Sequence, residues 1–159
     1  MSQSPSATVS ATQASALAAR AVAAIGLCGV ALIHLLDITS KFDETPYMGW
    51  MYVGLIVSCL ALAGALIRSG GTRTWAATVA LPAAAVAGFV LSRTTGLPQA
   101  TGDIGNWTEP LGMASLFVEG ALIALGSGVL AARLTEQPRV AGPARRRDGA
   151  IGGEVVTGP

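Results

Sequence analysis

Four apolar stretches separated by short polar connections occupy residues 21–134 of this chain, and each is close to the length that crosses a lipid bilayer. About 20 apolar residues in a helix span roughly 30 Å of hydrocarbon. The first stretch covers residues 21–36, and the Ala-rich residues 15–20 extend it by more than a turn. The second covers 48–67 without a charge, and Pro46 just before it is a helix-start signal. The third, 75–91, holds Pro82, which a membrane helix tolerates and which is expected to kink it. The fourth runs over 110–134 and carries Glu119. The expectation is an all-α membrane protein, with four transmembrane helices in an antiparallel bundle at about 15–36, 48–67, 75–91 and 110–134.

Composition agrees. Charged residues make up 12% of the chain and hydrophobic ones 52%, with a mean hydropathy of +0.58. A soluble domain carries about 25% charge. The net charge of +1 gives no sign of a nucleic-acid partner. Residues 1–14 are mostly Ser, Ala, Thr and Gln with one Pro and no charged side chain, and read as a disordered lead-in. They lack the basic start of a secretory signal. Residues 137–159, rich in Gly, Pro and Arg, read as a disordered tail. Cys28 and Cys59 fall inside apolar stretches and outside any CxxC pattern, so they read as small buried hydrophobes. No metal site or cofactor is announced. Ala- and Gly-heavy usage resembles that of a high-GC bacterium, which makes the plasma membrane the expected address.

Basic residues suggest the orientation. Arg20, Arg68, Arg73, Arg133, Arg139 and the three arginines at 145–147 fall on one side of a four-span chain, and only Lys41 and Arg93 on the other. The positive-inside rule then places both termini in the cytoplasm and the connections 37–47 and 92–110 outside. Glycines recur in every span. They are expected to let helices approach closely within one bundle. Gly120, Ala124 and Gly128, at four-residue spacing, are a candidate face for a homo-oligomer.

The unusual polar residues gather toward the outer side. His34 ends the first stretch, and Asp37 follows on the same face at i+3. Glu119 lies nine residues below Pro110, roughly 12–14 Å from the helix end, where a carboxylate costs about 2.5–3.5 kcal/mol. It must be protonated, paired or facing a wet cavity. Arg93, at the outer end of the third span, can reach inward or snorkel outward. His34, Arg93, Glu109 and Glu119 therefore form either a ligand-binding pocket or a buried polar pair that pins the helices. The connection 92–110 is long for so small a protein. Its turn residues and Trp107 mark it as ordered, with Asp37, Asn106 and Trp107 supporting the site. No set of side chains suggests catalysis.

The segment FVLSRTTGLPQATGDIGNWTEPLGMASLFVEG, together with HLLDITSKFDETPYMGWMYVG, resembles a group of small four-helix integral membrane proteins of actinobacteria. The SRTTGLP…GNWTEPLG…E pattern is the most specific part. That group has no established activity, so the resemblance implies an address and an architecture. Size and helix count are also similar to DoxX-like membrane proteins, without a shared motif that would carry residues over. The expected function is a non-enzymatic plasma-membrane protein whose outward polar pocket binds a small ligand, an ion or a partner protein. A small oligomeric transporter or channel and a quinone- or redox-linked subunit are the rival readings. Expected partners are the lipid bilayer and either a second copy or another membrane protein.

Overall fold

The computed structural model describes residues 5–136 and contains four helices: α1 (Pro5–Glu44), α2 (Pro46–Arg68), α3 (Thr72–Thr94) and α4 (Pro110–Glu136). All four are long and apolar enough to cross a membrane, and they form an antiparallel bundle. The residues from 137 onward, with Arg139 and the arginines at 145–147, lie outside the described residues.

Helix α1 packs along α2 and α4, and α3 packs along α4, whereas α2 and α3 touch least among neighbouring helices. The core lies where α1, α2 and α4 meet the start of α3. Leu27, Val30, Cys59, Leu66, Trp75 and Leu122 are buried there. Small residues permit this approach because lipid offers no hydrophobic drive to bring helices together, so dispersion contact must do it. A Cβ placed on Gly26 would lie 2.9 Å from Leu122 Cδ2, and one on Gly126 would lie 2.6 Å from Val79 Cγ2. By contrast, Gly120 and Gly128 have nothing within 4 Å, and they and Ala124 face outward. Cys59 is buried as expected. Cys28 is exposed, contrary to expectation: it follows the buried Leu27 in the helix and falls beside the packed face of α1 rather than in it. Pro82 lies inside an unbroken α3 with its ring fully buried.

Helix α1 is longer than its apolar stretch at both ends. Residues 5–14, expected as a lead-in without structure, continue the helix. Pro5 suits the first helical turn, and the span that follows supplies the nucleus, so the helix needs only to propagate through these residues. At the other end the expected connection 37–47 shrinks to one residue, Thr45. Its polar residues fit a helix because they are spaced for one: Ser40 Oγ donates to Asp37 Oδ1 at 2.9 Å, and Lys41 pairs with Glu44 at 2.8 Å. Pro46 causes the break. A proline disfavours the helical conformation in the residue before it, and Thr45 is extended, at φ −158° and ψ 109°.

The two ends of the bundle are closed differently. At one end, Arg20 Nε donates to the Leu66 carbonyl at 2.6 Å, and its Nη2 donates to the Ile67 carbonyl. Arg133 Nη2 donates to the Gly70 carbonyl at 2.6 Å. Arg20 thus occupies carbonyls that the end of α2 leaves without helical partners, where a positive charge also meets the helix dipole favourably, and Arg133 holds the turn that follows. At the other end, residues 95–109 fold across the bundle. Tyr47 Oη donates to the Pro98 carbonyl at 2.7 Å, and Thr45 Oγ1 to the Gln99 carbonyl at 3.3 Å. Within this loop Leu97 and Ala100 exchange backbone hydrogen bonds, and Gly105 N donates to the Arg93 carbonyl at 2.9 Å. Gly96 and Gly105 have φ of 75° and 80°, a region that glycine enters without strain.

Candidate functional site

The loop end of the bundle encloses a cavity of about 360 Å³, lined by all four helices and by residues of the loop. Its floor is Ser115 and Glu119 of α4. Its walls are largely apolar, with Leu55, Leu81, Phe89 and Leu111 among them, and its upper part carries His34, Asp37, Tyr52, Arg93, Asp103 and Glu109. The cavity thus extends from the helix ends down to Glu119. That residue lies nine positions into α4, about 13–14 Å at 1.5 Å per residue.

Arg93 organises the upper part. It closes α3 and is 4% exposed. Its Nη1 lies 2.7 Å from Asp103 Oδ2, and its Nη2 pairs with Glu109 Oε2. The guanidinium also sits 4.7 Å over the Phe89 ring, a contact worth about 0.5–2 kcal/mol. Phe89 in turn meets Trp107 edge to face, with ring centroids 6.1 Å apart. Asp103 is shared: Lys41 Nζ reaches the same Oδ2 at 3.4 Å while holding Glu44. Lys41 is 3% exposed although it is a lysine near a helix end, which is rare unless the charge is paired. A chain Glu44–Lys41–Asp103–Arg93–Glu109 therefore joins α1, the loop and α3. Arg93 Nε remains buried without a hydrogen-bond partner.

A second group faces this chain. His34 Nδ1 donates to the Val30 carbonyl at 2.9 Å, so that nitrogen carries the proton. The His34 ring meets Tyr52 edge to face at 4.8 Å. Tyr52 Oη donates to Asp37 Oδ2 at 3.4 Å. At the floor, Glu119 is 1% exposed and its Oε1 accepts a 2.8 Å hydrogen bond from Ser115 Oγ. Among the described residues no three His, Cys, Asp or Glu side chains come together as a set that could hold a metal ion.

The structure thus brings His34, Arg93, Glu109 and Glu119 to one cavity, with Asp37. It does not join Glu119 to Arg93 or His34. Arg93 takes its carboxylates from the loop, and Glu119 is held by the serine one turn before it. Trp107 supports the site through Phe89. Asn106 is exposed and contributes a backbone bond, N to the Asp103 carbonyl at 3.1 Å. Sequence reasoning missed Lys41, Asp103, Tyr52 and Ser115. Two of them carried a legible signal. Ser115 precedes Glu119 by four residues, and Lys41 follows Asp37 by four, the helical spacing that sets side chains on one face. Asp103 had none, because only the fold of the loop returns it to α1 and α3. Comparison with protein-family models, with curated proteins and with solved structures gives no match for this chain.

Proposed function

We propose that this is a multi-pass plasma-membrane protein with both termini in the cytoplasm, whose cavity opens toward the outer half of the bilayer and binds a small ligand without transforming it. The observation that carries this reading is the coincidence of a 360 Å³ cavity with two side chains, Arg93 and Glu119, that are 4% and 1% exposed. A void in a packed interior costs stability in proportion to its volume. Ionisable groups inside a membrane cost several kcal/mol more. A bundle selected only to stay folded would fill this space with leucine. The rest of the bundle is filled in that way, by Leu27, Leu66, Trp75 and Leu122. Among the described residues these side chains pack the part of the bundle beyond Glu119, which favours binding over conduction.

Native mass spectrometry of the full chain, extracted from its own membranes in mild detergent, tests the reading. The expected result is a small molecule bound to the wild type and absent from Gly88→Leu, which fills part of the cavity wall. A wild type that carries nothing, together with a Gly88→Leu variant that melts higher, would show the cavity to be a packing defect.

A further inference from the structure

We propose that the ligand is a lipid-soluble amine that enters from the membrane through the gap between α2 and α3 and sets its cationic group against Glu119. This rests on the reading that the cavity binds a ligand, and it adds the class of that ligand and its route.

The route follows from what is closed and what is open. The bundle end above the cavity is crossed by residues 95–109, fastened by Tyr47 to Pro98, by Thr45 to Gln99, and by Lys41 and Arg93 to Asp103. The side between α2 and α3 has no such closure. These helices make the least contact of any adjacent pair. Met51, Gly54 and Ser58 of α2 and Ala84 of α3 line the cavity and are nevertheless exposed. A Cβ on Gly54 or on Gly88 would meet nothing within 4 Å. In a bilayer this window faces acyl chains, so the cavity communicates with lipid more freely than with water.

The class of ligand follows from charge and size. Among the described residues, Asp37, Asp103, Glu109 and Glu119 line the cavity against a single arginine, Arg93. Asp103 and Glu109 are taken up by Arg93 and Lys41. Asp37 receives Ser40 and Tyr52. Glu119 receives one hydrogen bond, from Ser115 to Oε1, and no donor of the described protein reaches Oε2. The site is therefore short of a cation at its floor, and a buried carboxylate gains most from a partner that brings charge and hydrogen-bond donors together. An acidic ligand would add to the excess of carboxylates. At about 30 Å³ for each water-sized group, the cavity holds about a dozen such groups, which suits one aromatic ring with a short amine-bearing chain against Leu55, Leu81 and Phe89.

The test uses the full chain in lipid nanodiscs with tritiated 4-phenylbutylamine, and with 4-phenylbutanol and 4-phenylbutyrate as competitors. Saturable binding of the amine is expected, with the alcohol and the acid at least about tenfold weaker, and Glu119→Gln is expected to weaken the amine by about tenfold or more. Ser58→Phe, which narrows the window, should slow association by about tenfold, whereas Tyr47→Phe, which loosens the loop, should leave the rate unchanged. An alcohol or acid that binds as tightly as the amine overturns the assigned class. That comparison is made on the wild type and holds even where Glu119→Gln fails to fold. A Ser58→Phe rate equal to wild type, or faster association in Tyr47→Phe, overturns the route. If none of the three compounds binds while a co-purifying molecule is seen by mass spectrometry, the amine is wrong and the binding cavity stands. If neither is seen, both fail.

Discussion

Removing Arg93 is the most informative single perturbation of the loop end. Among the described residues, Arg93→Gln deletes the only cation that Glu109 touches and one of two that Asp103 touches. Breaking a buried pair by removing one partner costs about 3–5 kcal/mol, because the other charge is left uncompensated. Here the carboxylates retain 15% and 24% side-chain exposure, so water recovers part of the loss and the lower end, about 3 kcal/mol, applies. Asp103→Asn should cost less, about 1.5–2 kcal/mol, the lower part of the range for a hydrogen bond to a charged group. Lys41 keeps Glu44, and Arg93 keeps Glu109, after that change. The double variant should lose less than the sum, with a coupling of about 0.5–3 kcal/mol. Denaturant unfolding of the four proteins in the same detergent measures all three quantities. Strict additivity, or a larger loss for Asp103→Asn than for Arg93→Gln, would refute the view that Arg93 is the hub of this network.

Other consequences can be measured on the same footing. Glu119→Gln and Ser115→Ala should be non-additive by about 0.5–1.5 kcal/mol in detergent unfolding, while Glu119→Gln and Arg93→Gln should be additive, since no bond joins the second pair. Gly126→Val should destabilise by about 1–3 kcal/mol because its Cβ would press on Val79. Gly120→Ala, with open space around it, should be neutral or gain up to about 1 kcal/mol. In a background without Cys28 and Cys59, Thr101→Cys should react with an impermeant maleimide in intact cells and Thr72→Cys should not; the reverse pattern would invert the proposed orientation. Brief proteolysis in detergent should cut the chain near its termini before it cuts residues 97–106, because the loop is bonded to both α1–α2 and α3.

The spans were legible because hydrocarbon imposes a length and a composition that local sequence must satisfy. Residues 48–67 and 110–134 lie within two or three residues of α2 and α4. The end of α1 was not legible from hydropathy, since residues 37–44 leave the apolar register while keeping the helical one. Pro46 was the better marker of where that helix stops. For the site, Glu119 stood out by its isolation in an apolar stretch, and His34, Arg93 and Glu109 by their common level. Their pairing was a different matter. Depth along a helix axis can be counted from sequence, but direction around the axis and the path of a fifteen-residue loop cannot. Arg93 therefore found Asp103, ten residues on, rather than Glu119 on the adjacent helix.

The single-residue link at Thr45 has a mechanical consequence. Helices α1 and α2 are tied at one end by that link and at the other by Arg20, which leaves the pair little freedom to shear. Helices α3 and α4 form the other pair, and the two pairs are sewn together mainly along α1 and α4. The assembly resembles a book whose spine is the α1–α4 seam and whose outer edges, α2 and α3, are joined at one end by residues 69–71. Widening the edges disturbs few contacts, whereas sliding one cover against the other would strain the short turn at residues 69–71 and the Arg133 bond to Gly70. The seam between α2 and α3 is therefore the one along which this bundle opens with least loss of packing.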